Sequence, residues 1–353
     1  MVDVNVSIPD GGDLLSVTRP TLAQVARRAG VSVASVSRAL NGGSASRRTI
    51  ERVRAAVNDL GYVPDATARL LKLGHAPAIA CAVPDIANPV YVTMVKAMEA
   101  VARREGFRLS LISIGSDPVE ISDLVRSLDR GFADGLIITP LRVTDELIQA
   151  LLKLSVPVVV IGRIDPAVPI DAVGVDSAAG VRLAVDHLVA AGHESVTLVN
   201  GPPDTSPGRA RLAAYTDAAS HHGFEPCIIT AEDFTTEAAI EALGDLLADE
   251  AARPTAVLAS NDLLALGVMR AASRAGVEVG SELGVIGMDN TLYANLVHPA
   301  LSSVSLAADV RATRAVELLL KRIARPGRTH ERVTVDPTLV LRESSPNRMG
   351  VPQ

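Results

Sequence analysis

After Gly74 the chain repeatedly alternates a short apolar run with an amphipathic helical stretch, and this alternation restricts its fold more than any other feature. IACAVP precedes a helical pattern over 90–104, LSLISI one over 120–129 and GLIIT one over 145–154, with PVVVIG closing the set. Near-continuous apolar strands joined by helices form parallel sheets, because the crossover helices cover both faces and leave no strand face for water. A second set follows, with a helix over 176–191, then SVTLVNG, AVLAS, a helix over 263–275 and GVIGMD. The body is therefore expected to be α/β, in two similar lobes.

The second lobe should end near Ser303. There the chain returns to the first lobe for a helix over 308–324 and then crosses again before TLVLRES, so that three crossings form a hinge. Open parallel sheets bind ligands beyond the carboxyl ends of their strands. The loops at those ends are polar: Asp85 to Asn88, Arg163 with Asp165, Thr205 to Arg211, Asn261 with Asp262, and Asp289 with Asn290.

The amino-terminal part has a different character. Net charge is −6 over the 353 residues, yet residues 19–73 hold ten basic side chains against Glu51, Asp59 and Asp65, leaving −3 for residues 1–18 and −10 for residues 74–353. A basic head on an acidic body suits polyanion binding at one end. Within the head, Thr21-x-x-Gln24 forms a capping box for a helix whose inner face is Leu22, Val25 and Ala26. Gly30 ends that helix, Ser32 caps the next, and Val36 and Leu40 lie four apart on its inner face, which gives a helix-turn-helix. Val33, Ala34, Ser37 and Arg38 are left to face outward, and the amino-terminal end of such a helix enters the major groove. Arg38 can donate twice to guanine, whereas Val33 and Ala34 offer apolar contact to a thymine methyl. Ser32, Ser35, Ser37 and Asn41 suit phosphate oxygens. A third helix starts after Ser46, with Ile50, Val53, Val57 and Leu60 inward and Arg47, Arg48, Arg52 and Arg54 outward.

The run GVSVASVSRALNG, the third helix ending in GYVP and the following A-x-x-L resemble the LacI/GalR family of bacterial regulators, and the likeness spans essentially the whole chain after residue 19. The resemblance implies a helix-turn-helix head on a two-lobed periplasmic-binding-protein-like core of two Rossmann-like parallel-sheet lobes. In that family the segment after YVP folds into a hinge helix on operator DNA, and its leucine wedges into the minor groove; the matching residues are Ala68 and Leu71. An eight-residue helix is unstable alone in water, and an exposed leucine on it gains by inserting between bases. Asp65 departs from the family's usual asparagine, and the loop 42–45 is shorter than in some members. By the same resemblance Asn88 and Tyr91 reach a cleft effector from the first lobe, and Arg209, Phe234, Asn261 and Asp289 from the second. Arg163, in the loop after PVVVIG, joins them. Asn261 with Asp262 equally fits a cap on the following helix, and Phe234 equally fits ordinary core.

These readings divide the chain into an extension (1–18), the head (19–63), a hinge helix and linker (64–76), a core (77–343) and a tail (344–353). The first lobe takes about 77–174 and 305–334, and the second about 175–304 and 335–343. The expected partners are a palindromic double-stranded operator, a second copy of the chain in a homodimer, and a small effector, sugar-like by default, with a nucleobase also admissible. No cofactor or metal is expected. No apolar run of membrane-spanning length or secretory leader is present, which points to a cytoplasmic protein. No G-x-G-x-x-G, Walker loop, H-E-x-x-H or nucleophile elbow occurs, which argues against an enzyme, and the basic head argues against a transport solute-binding module. Cys81 and Cys227 are expected to be buried, reduced and without chemistry.

Overall fold

The computed structural model describes residues 20–40, 44–60, 77–115, 124, 128 and 131–346. The expected extension 1–18, Asn41, the hinge with Ala68 and Leu71, and most of the 120–129 helix lie outside the described residues. The chain divides into two compact units, Met1–Ala76 and Pro77–Gln353.

In the first unit, α1 (Leu22–Ala29), α2 (Val33–Leu40) and α3 (Arg47–Leu60) pack around Val25, Ala26, Ala29, Val36, Val53 and Ala56. Apolar residues recur three or four apart on each helix, so each presents one stripe to this small core. Gly30 closes α1 in the left-handed region at φ 60°, where a side chain would be strained.

The second unit holds two six-stranded sheets. The first has the order β11-β5-β4-β3-β1-β2, from β1 (Ala78–Val83), β2 (Arg108–Ser113), β3 (Gly135–Ile138), β4 (Val158–Ile161), β5 (Asp171–Val175) and β11 (Arg332–Val335), all parallel. The second has the order β12-β10-β9-β8-β6-β7, from β6 (Thr197–Asn200), β7 (Cys227–Thr230), β8 (Ala256–Ala259), β9 (Gly284–Met288), β10 (Ser302–Ser305) and β12 (Thr338–Val340), with only β12 antiparallel. The central strands β1, β3, β4, β6, β8 and β9 are buried along their whole length.

Helices α4 (Pro89–Arg104) and α11 (Ala308–Ala324) pack together over one face of the first sheet, and α5 (Asp145–Leu152) covers the other. In the second lobe α6 (Ser177–Ala190) and α7 (Ser206–His222) cover one face; α8 (Thr236–Leu243) and α9 (Asp262–Ala275) cover the other. The chain passes between the lobes after Val175, Ser305 and Val335.

Two expectations are corrected here. LSLISI is not a doubly covered strand: β2 is a sheet edge in which every residue is exposed or half-buried, and Leu111 is exposed. Cys227 lies on the other edge strand, β7, and is exposed; Cys81, in the central strand β1, is buried. Burial pushes the Cys81 thiol up to about 12, because a thiolate there would lose its solvation. Among the described residues no helix is long and apolar enough to cross a membrane.

Candidate functional site: a groove-reading helix and an interlobe cleft

In the head, Thr21 and Gln24 form the reciprocal capping box, with Gln24 N donating to Thr21 Oγ1 at 3.3 Å and Thr21 N donating to Gln24 Oε1 at 2.6 Å. Ser32 starts α2 by accepting from Ser35 N at 3.1 Å, and the two hydroxyls lie 2.9 Å apart. With Val36 turned inward, Val33, Ala34 and Arg38 are exposed and Ser37 is half-buried. Arg38 Nη2 reaches Ser35 Oγ at 3.5 Å, which holds the guanidinium along the same face. Arg52, expected to be simply outward, donates to the Gly30 carbonyl at 3.3 Å and so fastens α3 to the turn.

In the second unit a cleft of about 880 Å3 opens between the lobes, at the carboxyl ends of β1, β3, β4, β6, β8 and β9. The first lobe contributes Asn88, Tyr91 and Arg163, while Phe234, Asn261 and Asp289 enter from the second. Asn88 caps α4 through Oδ1 to Val90 N at 3.1 Å, and Tyr91 follows one turn into that helix. Burial, reinforced by the charge of Asp289, pushes the Tyr91 phenol well above its ordinary value, so its hydroxyl stays protonated.

The alternatives left open for Asn261 and Phe234 prove compatible with a place in the cleft. Asn261 Oδ1 accepts from Leu264 N at 2.8 Å and caps α9, and its Nδ2 donates to the Phe234 carbonyl at 3.1 Å. Its amide therefore positions Phe234 and the start of α9 while its side wall borders the cleft. Phe234 packs into the second-lobe core and also lines the cleft, with its ring against Gly201, where a Cβ would collide with it.

Arg209 is a correction. Thr205 to Arg211 are not an open loop; Thr205 caps α7, with Oγ1 accepting from Gly208 N at 3.1 Å. Positions two apart on a helix point in nearly opposite directions, so Arg209 is exposed and absent from the cleft, whereas Arg211 is buried and lines it. Arg211 lies on the buried stripe with Gly208, Ala214, Tyr215 and Ala218, and that spacing is the sequence signal that would have found it. Arg311, on the corresponding stripe of α11 with Ala308, Ala312 and Ala315, is a second buried cleft arginine that the sequence reading missed.

Asp289 sits among these groups at φ 107° and is followed by Asn290 at φ 51°, a rare backbone pair for residues with side chains. Such strain is held only where surrounding structure dictates it and often marks a functional site. Burial pushes the Asp289 carboxyl up to about 7, opposed by the nearby Arg211 and Arg311 and reinforced by Asp262. Among the described residues its carboxylate makes no hydrogen bond or ion pair with the protein. Asp262 serves the fold instead, accepting from Thr291 N and from Ser303 Oγ, each at 2.6 Å.

A three-helix unit with an outward-facing recognition surface, followed in the chain by a hinged pair of parallel-sheet lobes around a polar cleft, defines a DNA-binding transcriptional regulator with a ligand-binding core. Comparison with known proteins agrees. Residues 21–65 match the bacterial regulatory proteins of the lacI family, and residues 185–345 match a periplasmic binding protein-like domain. The chain is 30% identical over 338 residues to the HTH-type transcriptional regulator DegA of Bacillus subtilis, covering 93% of this chain and 98% of that protein. The solved lac repressor dimer, bound to operator and the anti-inducer ONPF, superposes with a TM-score of 0.80 at 28% identity, covering 93% of this chain and 99% of that one. The CelR–cellobiose complex superposes with a TM-score of 0.68 at 29% identity, covering 93% of this chain and 100% of that one. The chain belongs to the LacI family of transcriptional regulators.

Proposed function

We propose that this regulator is a cytoplasmic repressor that binds a palindromic operator as a homodimer and responds to a sugar or sugar derivative in the interlobe cleft. The observation that carries the effector reading is the convergence of Asn88, Tyr91 and Arg311 from the first lobe with Arg211, Phe234 and Asp289 from the second on one cavity. A ring hydroxyl can donate to Asp289 and accept from Arg211, while Phe234 offers an apolar face to the carbon skeleton. The cellobiose bound by CelR supports a carbohydrate in this chain's cleft.

Because effector groups would be shared between lobes joined by three crossings, ligand favours the closed arrangement, and it moves the equilibrium only as far as its affinities for the two forms differ. On DNA, Val33, Ala34 and Arg38 read bases, and Thr21, Ser32, Ser35, Ser37 and Asn41 fix register on phosphates. Ala68 and Leu71 form the wedge between paired hinges. Dimer formation is supported by the operator-bound lac repressor dimer and by the short helix α10 (Leu292–Leu296), whose Leu292 and Leu296 are 67% and 66% exposed.

The experiment is a fluorescence-anisotropy titration of palindromic and scrambled duplexes at fixed salt, with and without a panel of sugars. Preference for a palindrome that one sugar alters is the expected result; Arg38→Ala should then cost about 1–3 kcal/mol on that palindrome and relax preference at one base pair. Equal affinity for every duplex would remove the operator reading, and an operator affinity unmoved by any saturating sugar that binds would remove the coupling.

A further inference from the structure

The base of the cleft carries more cationic donor than the protein answers. Arg311 is 7% exposed; its Nε donates to the Leu306 carbonyl at 2.8 Å, and among the described residues nothing accepts from its two terminal nitrogens. Arg211 is also 7% exposed; one terminal nitrogen donates to the Ser260 carbonyl, while its enclosed Nε has no partner. A guanidinium offers five N–H donors and no acceptor; the Arg211 Nε is enclosed and unmatched, which is costly, while the terminal nitrogens of Arg311 open onto the cleft, where a ligand can answer them. Asp289, the single carboxylate facing both, pairs directly with neither among the described residues. Thr139 Oγ1, also in the cleft wall, is buried without a partner.

The remaining charges of the cleft leave this excess in place. Arg142 is engaged by Asp204, and Arg332 donates to the carbonyls of Asp165 and Val168. Asp176, half-buried in the cleft wall, is taken up by the start of α6, its Oδ1 accepting from Ala179 N at 2.9 Å, and Asp85, Glu232 and Asp233 border the cleft from exposed positions, where water weakens their field relative to the two buried arginines. Arg163 adds an exposed cation on the first lobe.

We infer that the effector carries an oxyanion, a carboxylate or a phosphate, that docks between Arg211 and Arg311, leaving Asp289 to read hydroxyls. The inference rests on the cleft being a sugar effector site. It assigns Arg311 a specificity-determining role. Because Arg211 comes from the second lobe and Arg311 from α11 on the first, one oxyanion bridging them also ties the lobes together, whereas a neutral polyol leaves two buried cations facing each other. Charge-assisted, bidentate contacts of this kind are among the stronger polar interactions available to a ligand.

The test is calorimetric binding to the full-length protein at constant ionic strength, with matched pairs: gluconate against glucitol, glucose 6-phosphate against glucose, and ribose 5-phosphate against ribose. The acidic member of at least one pair should bind about tenfold or more tightly than its neutral partner. Arg311→Met should bring the two members within about threefold of each other, while Arg311→Lys keeps part of the preference. Which pair responds separates a carboxylate from a phosphate effector.

A neutral member binding as tightly as its acid in every responding pair overturns the inference and leaves the sugar reading standing; so does a preference that survives Arg311→Met. If no member of any pair binds, the sugar reading itself fails and the inference falls with it. Folding of Arg311→Met is monitored by its melting temperature without ligand, which should fall only slightly, since the lost donor to the Leu306 carbonyl is offset by removal of a desolvated charge. A marked drop would show that Arg311 serves the fold rather than a ligand.

Discussion

Asp289 is the residue whose chemistry the fold alters most clearly. Its carboxyl is pushed up to about 7 in the folded chain, against about 3.9 for an unperturbed aspartate. Between these values the folded state binds more protons than the unfolded one, so its contribution is full below about pH 4 and declines as pH rises toward 7. Urea midpoints of the wild type, relative to Asp289→Asn, should therefore fall from pH 4.5 to pH 7.5; parallel curves would mean the carboxyl titrates normally. The end of β9 marked Asp289 from the sequence because a strand terminus needs only an apolar run and its length to be located. Arg211 and Arg311 were harder to read: an arginine suggests surface, and only its phase on a helix stripe says otherwise. Arg209 shows the cost of missing that phase, since one capping residue, Thr205, decides which arginine of the pair faces inward.

At the scale of elements, burial on both faces made the central strands legible, and capping residues fixed the helices of the head. The helix expected over 308–324 is α11 residue for residue. Edge strands were not legible in the same way, because an apolar run such as LSLISI does not say whether a neighbour lies on both sides. α8 escaped too, being two turns long and preceded by the polar run AEDFT. What the sequence could not show at all is the ion pair that fixes β11. Asp171, fully buried on β5, accepts from Arg322 Nε at 2.9 Å and Nη2 at 3.1 Å, and from Glu331 N at 2.6 Å. Its partners lie about 150 residues further along the chain. Removing one member of a buried pair leaves the other uncompensated, at a typical cost of 3–5 kcal/mol. Asp171→Ala should therefore lower stability by about that amount and loosen β11, the strand that leads into the third crossing. Denaturant unfolding measures the loss, and a change below about 1 kcal/mol would show that the Pro326, Arg328 and Thr329 carbonyls, which already accept from Arg322, hold it without the carboxylate.

At the scale of the molecule, the two lobes touch across the cleft through a contact made by side chains and backbone together. Arg142 of the first lobe donates to both carboxylate oxygens of Asp204 of the second, at 2.7 and 3.2 Å, and Ser206 N donates to the Leu141 carbonyl at 2.7 Å. Leu141 also packs against the second-lobe core. Arg142 is half-buried and Asp204 exposed, so water still screens the ion pair, and Arg142→Ala should weaken effector binding by no more than about fivefold. The difference between variant and wild type should shrink in high salt; an undiminished difference would place the effect in Leu141 packing instead.

The proposed dimer has the larger consequence. Palindrome binding needs two heads held within reach of adjacent half-sites, and a joined pair gains affinity through the effective concentration of the second head. Leu292→Glu with Leu296→Glu places two carboxylates on the apolar face of α10, where each leucine is about two-thirds exposed in the single chain and so can be changed without opening the core. The variant should sediment as a monomer, retain the wild-type melting curve at low concentration, and bind the same effector. On a palindrome its affinity should fall by about 100-fold or more. The slope of log K against log salt should drop toward half, because a single head neutralises half as many phosphates. A variant that remains dimeric would move the interface away from α10; a monomer with undiminished palindrome affinity would mean that the heads pair on the DNA itself.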